Sequence, residues 1–383
     1  MNKIIFLAHD FPPTKGGISS FLYELVRHLP PKDVVVIGLP TPGWEAFDAK
    51  QDFKIIRLRI PSTWSASSAQ FKFLAPYYYK ELVKIIGTGY ILCGTAHHSM
   101  MLPSWLLKAT RNIPFGVFGY GLDLLRPQKR IYKPIFNLLV KSADAVFVIS
   151  RRTSNIAMDI VGAKPEKIHT IHPPVNLDLS RKVSPDAIRS ALCLENKKCI
   201  LSVGNLVERK GHDMVIRALP EIINKVPNVH YIVIGRGSNE NHLRKLARDL
   251  NIESYITFAG FIPDDDLGSY YALCDVFVMI SREIPEKGDI EGFGIVYLEA
   301  NLFGKPVVAG RSGGVSDAVL NGQTGLMVNP NDPMDVANTV TRLLLDPDLA
   351  HRLGAMGRSR VLEEFLGQSA VQKLQDVVVL KLH

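Results

Sequence analysis

Short apolar runs rich in Val, Ile and Phe recur along this chain, separated by longer segments in which apolar positions return every three or four residues. The first pattern suits strands buried on both faces, the second amphipathic helices. Strands are expected at Lys3–Ala8, Val34–Gly38, Ile55–Ile60, Ile91–Cys93, Phe115–Gly119, Ala145–Ile149 and Lys167–Ile171. After His172-Pro173-Pro174-Val175-Asn176 the composition turns polar, from Ser180 to Lys198, with no strand, and the interdomain crossing is placed there. The pattern restarts at Cys199–Gly204 and continues with His230–Ile234, Tyr255–Phe258, Val276–Ile280, Pro306–Ala309 and Gly325–Val328; the whole apolar run Ala272 to Ile280 has the look of a buried strand. Strands alternating with helices imply an α/β class with parallel sheets. A chain of 383 residues is long for one core, which argues for two domains. The stretch from Glu363 to His383 reads as helical.

The most informative chemistry lies in Glu291-Gly292-Phe293-Gly294-Ile295-Val296-Tyr297-Leu298-Glu299-Ala300, two carboxylates flanking a Gly-x-Gly turn that opens a helix. Unpaired N–H groups at a helix start hold anions, a diphosphate included. A carboxylate accepts two hydroxyl hydrogen bonds at once, so Glu291 suits the hydroxyls of a hexose and Glu299 those of a ribose. An ordinary capped helix beside one acidic loop residue has the same local look. The continuation favours the ligand reading: Lys305-Pro306-Val307-Val308-Ala309-Gly310 runs into a second glycine turn, Arg311-Ser312-Gly313-Gly314. Successive glycine loops at strand ends of a parallel sheet are where such sheets bind ligands.

From Glu291 through Pro330 the chain resembles the donor-site signature of retaining glycosyltransferases of family 4, with its E-x7-E pair, GKPVVA strand, SGG turn and Asn321-Gly322-Gln323-Thr324-Gly325. Phe11-Pro12-Pro13-Thr14-Lys15-Gly16-Gly17-Ile18 is similar to that family's N-terminal glycine loop, and Gly204-Asn205-Leu206-Val207-Glu208-Arg209-Lys210-Gly211 to its basic phosphate loop. Within the family the chain looks most like bacterial phosphatidylinositol mannosyltransferases and polysaccharide glucosyltransferases. The resemblance implies the GT-B fold, two Rossmann-like doubly wound domains facing a central cleft. Residues 1–175 would bind the acceptor, with the helix 364–383 packing back on them, and residues 176–363 would bind the donor. It implies transfer of a hexose, with retention, from UDP-glucose, a UDP-N-acetylhexosamine or GDP-mannose to a glycolipid, lipid-linked or polysaccharide hydroxyl; the alternatives are a GT-B sugar-nucleotide epimerase or phosphorylase, or a non-catalytic sugar-nucleotide-binding protein at a membrane surface. Glu291 would position the sugar, and Arg209 and Lys210 would stabilise the leaving diphosphate. Gly16, Gly17, Asn205, Gly235, Phe261, Phe293, Gly294, Ile295 and Glu299 would complete the donor site. Two departures from the pattern stand out. Asn205 occupies a position where the family often has arginine. Tyr120, in Gly119-Tyr120-Gly121-Leu122-Asp123, stands where a histidine is usual, and is taken as a hydrogen-bonding substitute; His97-His98 is the other candidate source of an imidazole.

Asp264-Asp265-Asp266 suggests a metal motif, yet it precedes a helix, where acids serve as cap and first turn. With Arg209, Lys210 and helix-start N–H groups to neutralise a diphosphate, neither cofactor nor metal is expected. The four cysteines lack metal-ligand spacing and read as buried thiols of a reducing compartment. With no signal peptide and no apolar run of bilayer length, a cytoplasmic protein is expected. The net charge of +8 is uneven: residues 1–180 carry 22 Lys and Arg against 12 Asp and Glu, the remainder 23 against 25. Arg126-Pro127-Gln128-Lys129-Arg130-Ile131-Tyr132-Lys133 leads into the apolar Pro134–Lys141, and Tyr77–Lys84 is aromatic and basic. Both suit an anionic membrane surface on the inner face of the plasma membrane, and equally a solvated basic face. No nucleic-acid module appears.

Overall fold

The computed structural model describes residues 3–61, 73–87, 89–129, 131–181 and 183–382; Arg130 of the basic run and the terminal His383 lie outside them. The chain forms two compact units, Met1–Pro174 with Gly367–His383, and Val175–Leu366. Each is built on one wholly parallel sheet.

In the first unit β1 (Lys3–Leu7), β2 (Val34–Gly38), β3 (Lys54–Arg57), β4 (Gly89–Cys93), β5 (Phe115–Gly119), β6 (Ala145–Val148) and β7 (Ile168–Thr170) lie in the order β3-β2-β1-β4-β5-β6-β7. Every residue of β2, β4, β5 and β6 is buried, as a sheet covered by helices on both faces requires. The C-terminal helix Gly367–Leu382 belongs to this unit and packs on the Gly17–Val26 helix and on β4.

In the second unit β8 (Lys198–Val203), β9 (Val229–Ile234), β10 (Ile256–Gly260), β11 (Val276–Met279), β12 (Val307–Gly310) and β13 (Leu326–Val328) lie in the order β10-β9-β8-β11-β12-β13. Its core joins Ile200, Tyr231, Val278 and Val308 of the sheet to Val215, Leu219 and Ile222 of the His212–Lys225 helix. The polar Ser180–Lys198 stretch folds with this unit: its Pro185–Ala191 helix packs on the Asp264–Leu273 helix, and Ser184 N–H donates to Ser269 Oγ at 3.0 Å.

Five expectations need correction. Ala272 and Leu273 are not strand but the last turn of the Asp264–Leu273 helix; a short apolar run carries no period that separates a buried helix end from a buried strand. β3 stops at Arg57 and β7 starts at Ile168, the latter because Pro165–Lys167 forms a 3-10 turn. The C-terminal stretch is two helices, broken where Phe365 turns inward to pack against Phe293 and beneath the Arg360 guanidinium. Cys193 is exposed, whereas Cys93, Cys199 and Cys274 are buried free thiols.

Candidate functional site

Both sheets reverse strand order once, between β1 and β4 and between β8 and β11. In each sheet by itself, the place just beyond the carboxyl ends of its two strands is where parallel sheets hold ligands. In the second unit the loop after β8 carries Asn205, Arg209 and Lys210, and the loop after β11 carries Ser281 and Glu291.

These residues meet. Lys210 Nζ donates to Glu291 Oε2 at 2.6 Å, Arg209 Nη1 at 2.9 Å and Ser281 Oγ at 3.2 Å. Arg209 Nε also lies 3.0 Å from Asp289 Oδ1, so the guanidinium is held between two carboxylates. The backbone fixes the arrangement, since Arg282 N–H donates to Arg209 O at 2.8 Å and the Arg282 guanidinium pairs with Asp213. Gly211 closes the basic loop at φ +69, and a Cβ there would fall 1.8 Å from Ile280 O. Only glycine lets the loop after β8 lie this close to the end of β11. Burial pushes the Glu291 carboxyl up, but the Lys210 and Arg209 charges and the hydrogen bonds from Lys210 and Ser281 outweigh it, holding the group below its ordinary 4.5. The result is a buried, ionised carboxylate with two cations converging on one oxygen.

Glu291 precedes the Ile295–Leu302 helix, whose N-cap is Gly294 at φ +90. No side chain caps this helix and its first turn holds no acid; Tyr297 N–H turns back to Gly294 O at 3.1 Å, and the helix start at Ile295 and Val296 is the part suited to an outside anion. Ile295 is its first residue. Phe293 turns away, buried against Phe365, so only its backbone faces the turn. Gly314 N–H donates to Glu291 O at 2.8 Å, which ties the second glycine turn to the first. Glu299, further along the helix and partly buried, accepts from Tyr271 Oη at 2.6 Å. Burial, opposed by that hydrogen bond, pushes its carboxyl up to about 7. Asn205 is exposed at the mouth of the β8 loop. Gly235 ends β9, where its N–H donates to Gly260 O at 2.7 Å, and Phe261 follows β10 with its ring 43% exposed.

In the first unit Gly16 and Gly17 open the Gly17–Val26 helix, exposed, with nothing within 4 Å of a Cβ at either position. Tyr120 follows β5. Its ring packs on Phe21 and Phe118, and its buried Oη has no hydrogen-bond partner. The turn around it is set by Asp123, whose carboxylate accepts N–H bonds from Tyr120 at 2.8 Å, Gly121 at 3.0 Å and Ala96 at 3.1 Å. His97 is accounted for locally: it caps the His98–Arg111 helix through Ser99 N–H, and burial together with His98 lowers it to about 3. Tyr78, in the stretch read as an interfacial surface, is instead core, buried with Oη donating to Ala8 O at 2.9 Å. Asp264, Asp265 and Asp266 occupy the first helical turn, but the N-cap is Pro263 and no side chain caps. Among the described residues no cluster of His, Cys, Asp and Glu is arranged to hold a metal ion.

Asp289, Ser281 and Tyr271 were not picked out from the sequence. Asp289 carried a signal, an acid two residues before Glu291; Ser281 and Tyr271 reach their partners only through the fold.

Comparison with known proteins covers both units. The family model "Glycosyltransferase Family 4" matches residues 15–179, and "Glycosyl transferases group 1" matches residues 185–360. The chain is 30% identical over 390 residues to the GDP-mannose-dependent alpha-(1-6)-phosphatidylinositol monomannoside mannosyltransferase of Mycolicibacterium smegmatis, covering 98% of each chain. It is 29% identical over 407 residues to the Mycobacterium tuberculosis protein of the same description, again covering 98% of both. Among solved structures, HepE of Anabaena in complex with UDP and glucose shares the fold with a TM-score of 0.81 at 20% identity, over 99% of this chain and 100% of that one.

Proposed function

Since the chain belongs to the glycosyltransferases of family 4 and is a hexosyltransferase of the GT-B fold, we propose that it moves mannose from GDP-mannose to a hydroxyl of a phosphatidylinositol-mannoside-type glycolipid, with retention and without a metal ion. One observation carries the donor chemistry: Arg209, Lys210 and Glu291 converge at the uncapped start of the Ile295–Leu302 helix. Full-length similarity to GDP-mannose-dependent enzymes supports the choice of base and sugar.

In this reading a diphosphate takes over Arg209 and Lys210, and its oxygens accept the N–H groups at the helix start. Guanidinium and ammonium then stabilise the charge that builds on the leaving phosphate as the glycosidic bond breaks. Two cations and a helix terminus supply what a divalent ion would. Glu291, freed from one or both cations, grips the mannose hydroxyls, and Glu299 the ribose. A leaving phosphate oxygen accepts the acceptor's proton while the acceptor hydroxyl enters on the face the phosphate leaves, which accounts for retention. Within the second unit Asn205, Gly235 and Phe261 complete the donor contacts through backbone groups and one exposed ring; in the first unit Gly16 and Gly17 open a helix that no side chain caps, a start suited to an anion. Tyr120 Oη offers a hydrogen bond to a substrate hydroxyl. A glycolipid acceptor requires the enzyme to work at a bilayer surface; among the described residues no helix is long and apolar enough to cross one.

A panel of GDP- and UDP-sugars tests the donor assignment by melting temperature. A ligand at 100 times its Kd stabilises the folded state by about 2.7 kcal/mol, so GDP-mannose raises the melting temperature by several degrees with chelator present. A shift with UDP-glucose and none with GDP-mannose overturns the choice of donor.

A further inference from the structure

Asp289 stands two residues before Glu291 and closes a hairpin built against the basic loop. Ile284 N–H donates to Asp289 O at 2.8 Å and Asp289 N–H to Ile284 O at 3.1 Å, around the Pro285–Lys287 turn and Gly288 at φ +60. Three links fasten this hairpin and its approach to the segment after β8. Lys287 pairs with Glu208, Arg282 N–H donates to Arg209 O at 2.8 Å, and the Arg282 guanidinium pairs with Asp213 at 3.1 Å. They hold the Asp289 carboxylate against Arg209, with Oδ1 3.0 Å from Nε. That contact pairs charges without an aligned hydrogen bond: both atoms are shielded from solvent, and neither makes a hydrogen bond with a described residue. The aligned bond of the guanidinium runs instead from Nη1 to Glu291 Oε2 at 2.9 Å.

A guanidinium is a rigid planar fork, so bringing Nε–H into line with Asp289 turns both Nη groups with it. While Glu291 holds Nη1 the fork stays off that line, and release of Glu291 to a sugar frees it to turn. Asp289 is also a fixed negative charge beside the place a diphosphate takes, which opposes binding of the donor in its ground state. We propose that Asp289 is the positioning residue of Arg209: with Glu291 released it accepts the Nε–H bond, and the Nη edge is fixed on the diphosphate oxygen that gains charge as the glycosidic bond breaks, a task that rests on the role of Arg209 in the proposed function. A group that acts only as charge builds raises kcat and leaves ground-state affinity no better. An aspartate that merely braced the loop would support binding and turnover alike.

Asp289→Ala and Asp289→Asn, beside wild type, test this by calorimetric titration with GDP and by turnover at saturating GDP-mannose. Turnover is read as GDP released, with a phosphatidylinositol monomannoside or with water alone as acceptor, so the acceptor assignment does not enter. Asp289→Ala binds GDP no more weakly than wild type, while kcat falls at least about tenfold. Asp289→Asn, which keeps an oxygen for the Nε–H bond, recovers most of the lost kcat. In an Arg209→Ala background Asp289→Ala has no further effect on kcat, since the two residues act as a unit. Weaker GDP binding in step with the loss of kcat, kcat within about threefold of wild type, or an Asn variant as slow as the Ala variant overturns the proposal. So does an equal loss from Asp289→Ala in the Arg209→Ala background. Arg209→Ala alone keeps the two roles apart. Slow turnover there, with Asp289 variants like wild type, leaves the proposed function standing and removes Asp289; unchanged turnover removes Arg209 from the reaction and Asp289 with it.

Discussion

Replacing Glu291 by glutamine separates the two tasks this side chain is given, because it keeps the shape and removes the charge. In the free protein Glu291 neutralises Lys210 at 2.6 Å and Arg209 at 2.9 Å, with the three side chains 9%, 12% and 15% exposed. Removing one partner of a buried ion pair costs about 3–5 kcal/mol. Arg209 retains Asp289 at 3.0 Å, whereas Lys210 is left without a counter-ion, so the lower end, about 3 kcal/mol, is expected. For a unit of this size that lowers the melting temperature by roughly 6–12 °C. Nucleotide binding moves the other way: with the carboxylate gone nothing competes for Arg209 and Lys210, and free GDP binds at least as tightly as to wild type, recovering part of the lost stability. Transfer falls, because a charge-assisted hydrogen bond to a sugar hydroxyl contributes about 1.5–3 kcal/mol, or about 10- to 150-fold in kcat/KM. Scanning calorimetry with and without GDP, beside a transfer assay, reads all three. A variant with wild-type melting temperature, or with transfer within about threefold of wild type, refutes the reasoning.

Four further outcomes follow from the geometry. Glu299, raised to about 7, contributes stability that is present below its ordinary 4.5 and lost as pH rises through 7; as its ionised form is the better acceptor of ribose hydroxyls, donor KM rises as pH falls below about 7. Tyr271→Phe removes the hydrogen bond that lowers Glu299, so the acid limb of a pH–KM profile moves to higher pH, and an unmoved limb refutes the assignment. Tyr120→Phe deletes a buried hydroxyl that has no partner in the free protein; the melting temperature holds or rises while kcat/KM falls by up to about tenfold, and unchanged transfer would remove Tyr120 from the reaction. Gly211→Ala places a Cβ 1.8 Å from Ile280 O at φ +69 and destabilises by at least about 2 kcal/mol, read as a lower midpoint in urea.

The sheets were legible because buried parallel strands leave short β-branched runs such as Val34–Gly38 and Val229–Ile234, recurring between helical segments; the Val377–Leu380 run, which has the same composition, lies in the C-terminal helix. The glycine turns were legible because positive φ restricts the residue type, as at Gly211 and Gly294. Ends of elements were not. Ala272 and Leu273 satisfy a helix end and a strand start equally, and only the hydrogen bond from Cys274 N–H to Tyr270 O decides between them. The pairing of Arg209 and Lys210 with Glu291 joins residues some eighty positions apart, which no local pattern encodes; order along the chain told that they belong near one site, and not that they neutralise one another. Tyr271 under Glu299 was hidden for the same reason. Tyr78 misled in the opposite sense, since an aromatic residue in a basic stretch looks like surface until its neighbours close over it.

Mass spectrometry of lipid products before and after digestion with an α-mannosidase tests the central claim most directly. The protein is incubated with GDP-mannose, chelator and vesicles containing a phosphatidylinositol monomannoside, with the Glu291→Gln variant run in parallel. The account predicts one added hexose per acceptor, in the α configuration that retention requires, and at least about tenfold less product with the variant. No added hexose alongside a melting shift with GDP-mannose would contradict the acceptor; a β-linked product, or full activity in the variant, would contradict the role given to the cluster of Glu291, Arg209 and Lys210.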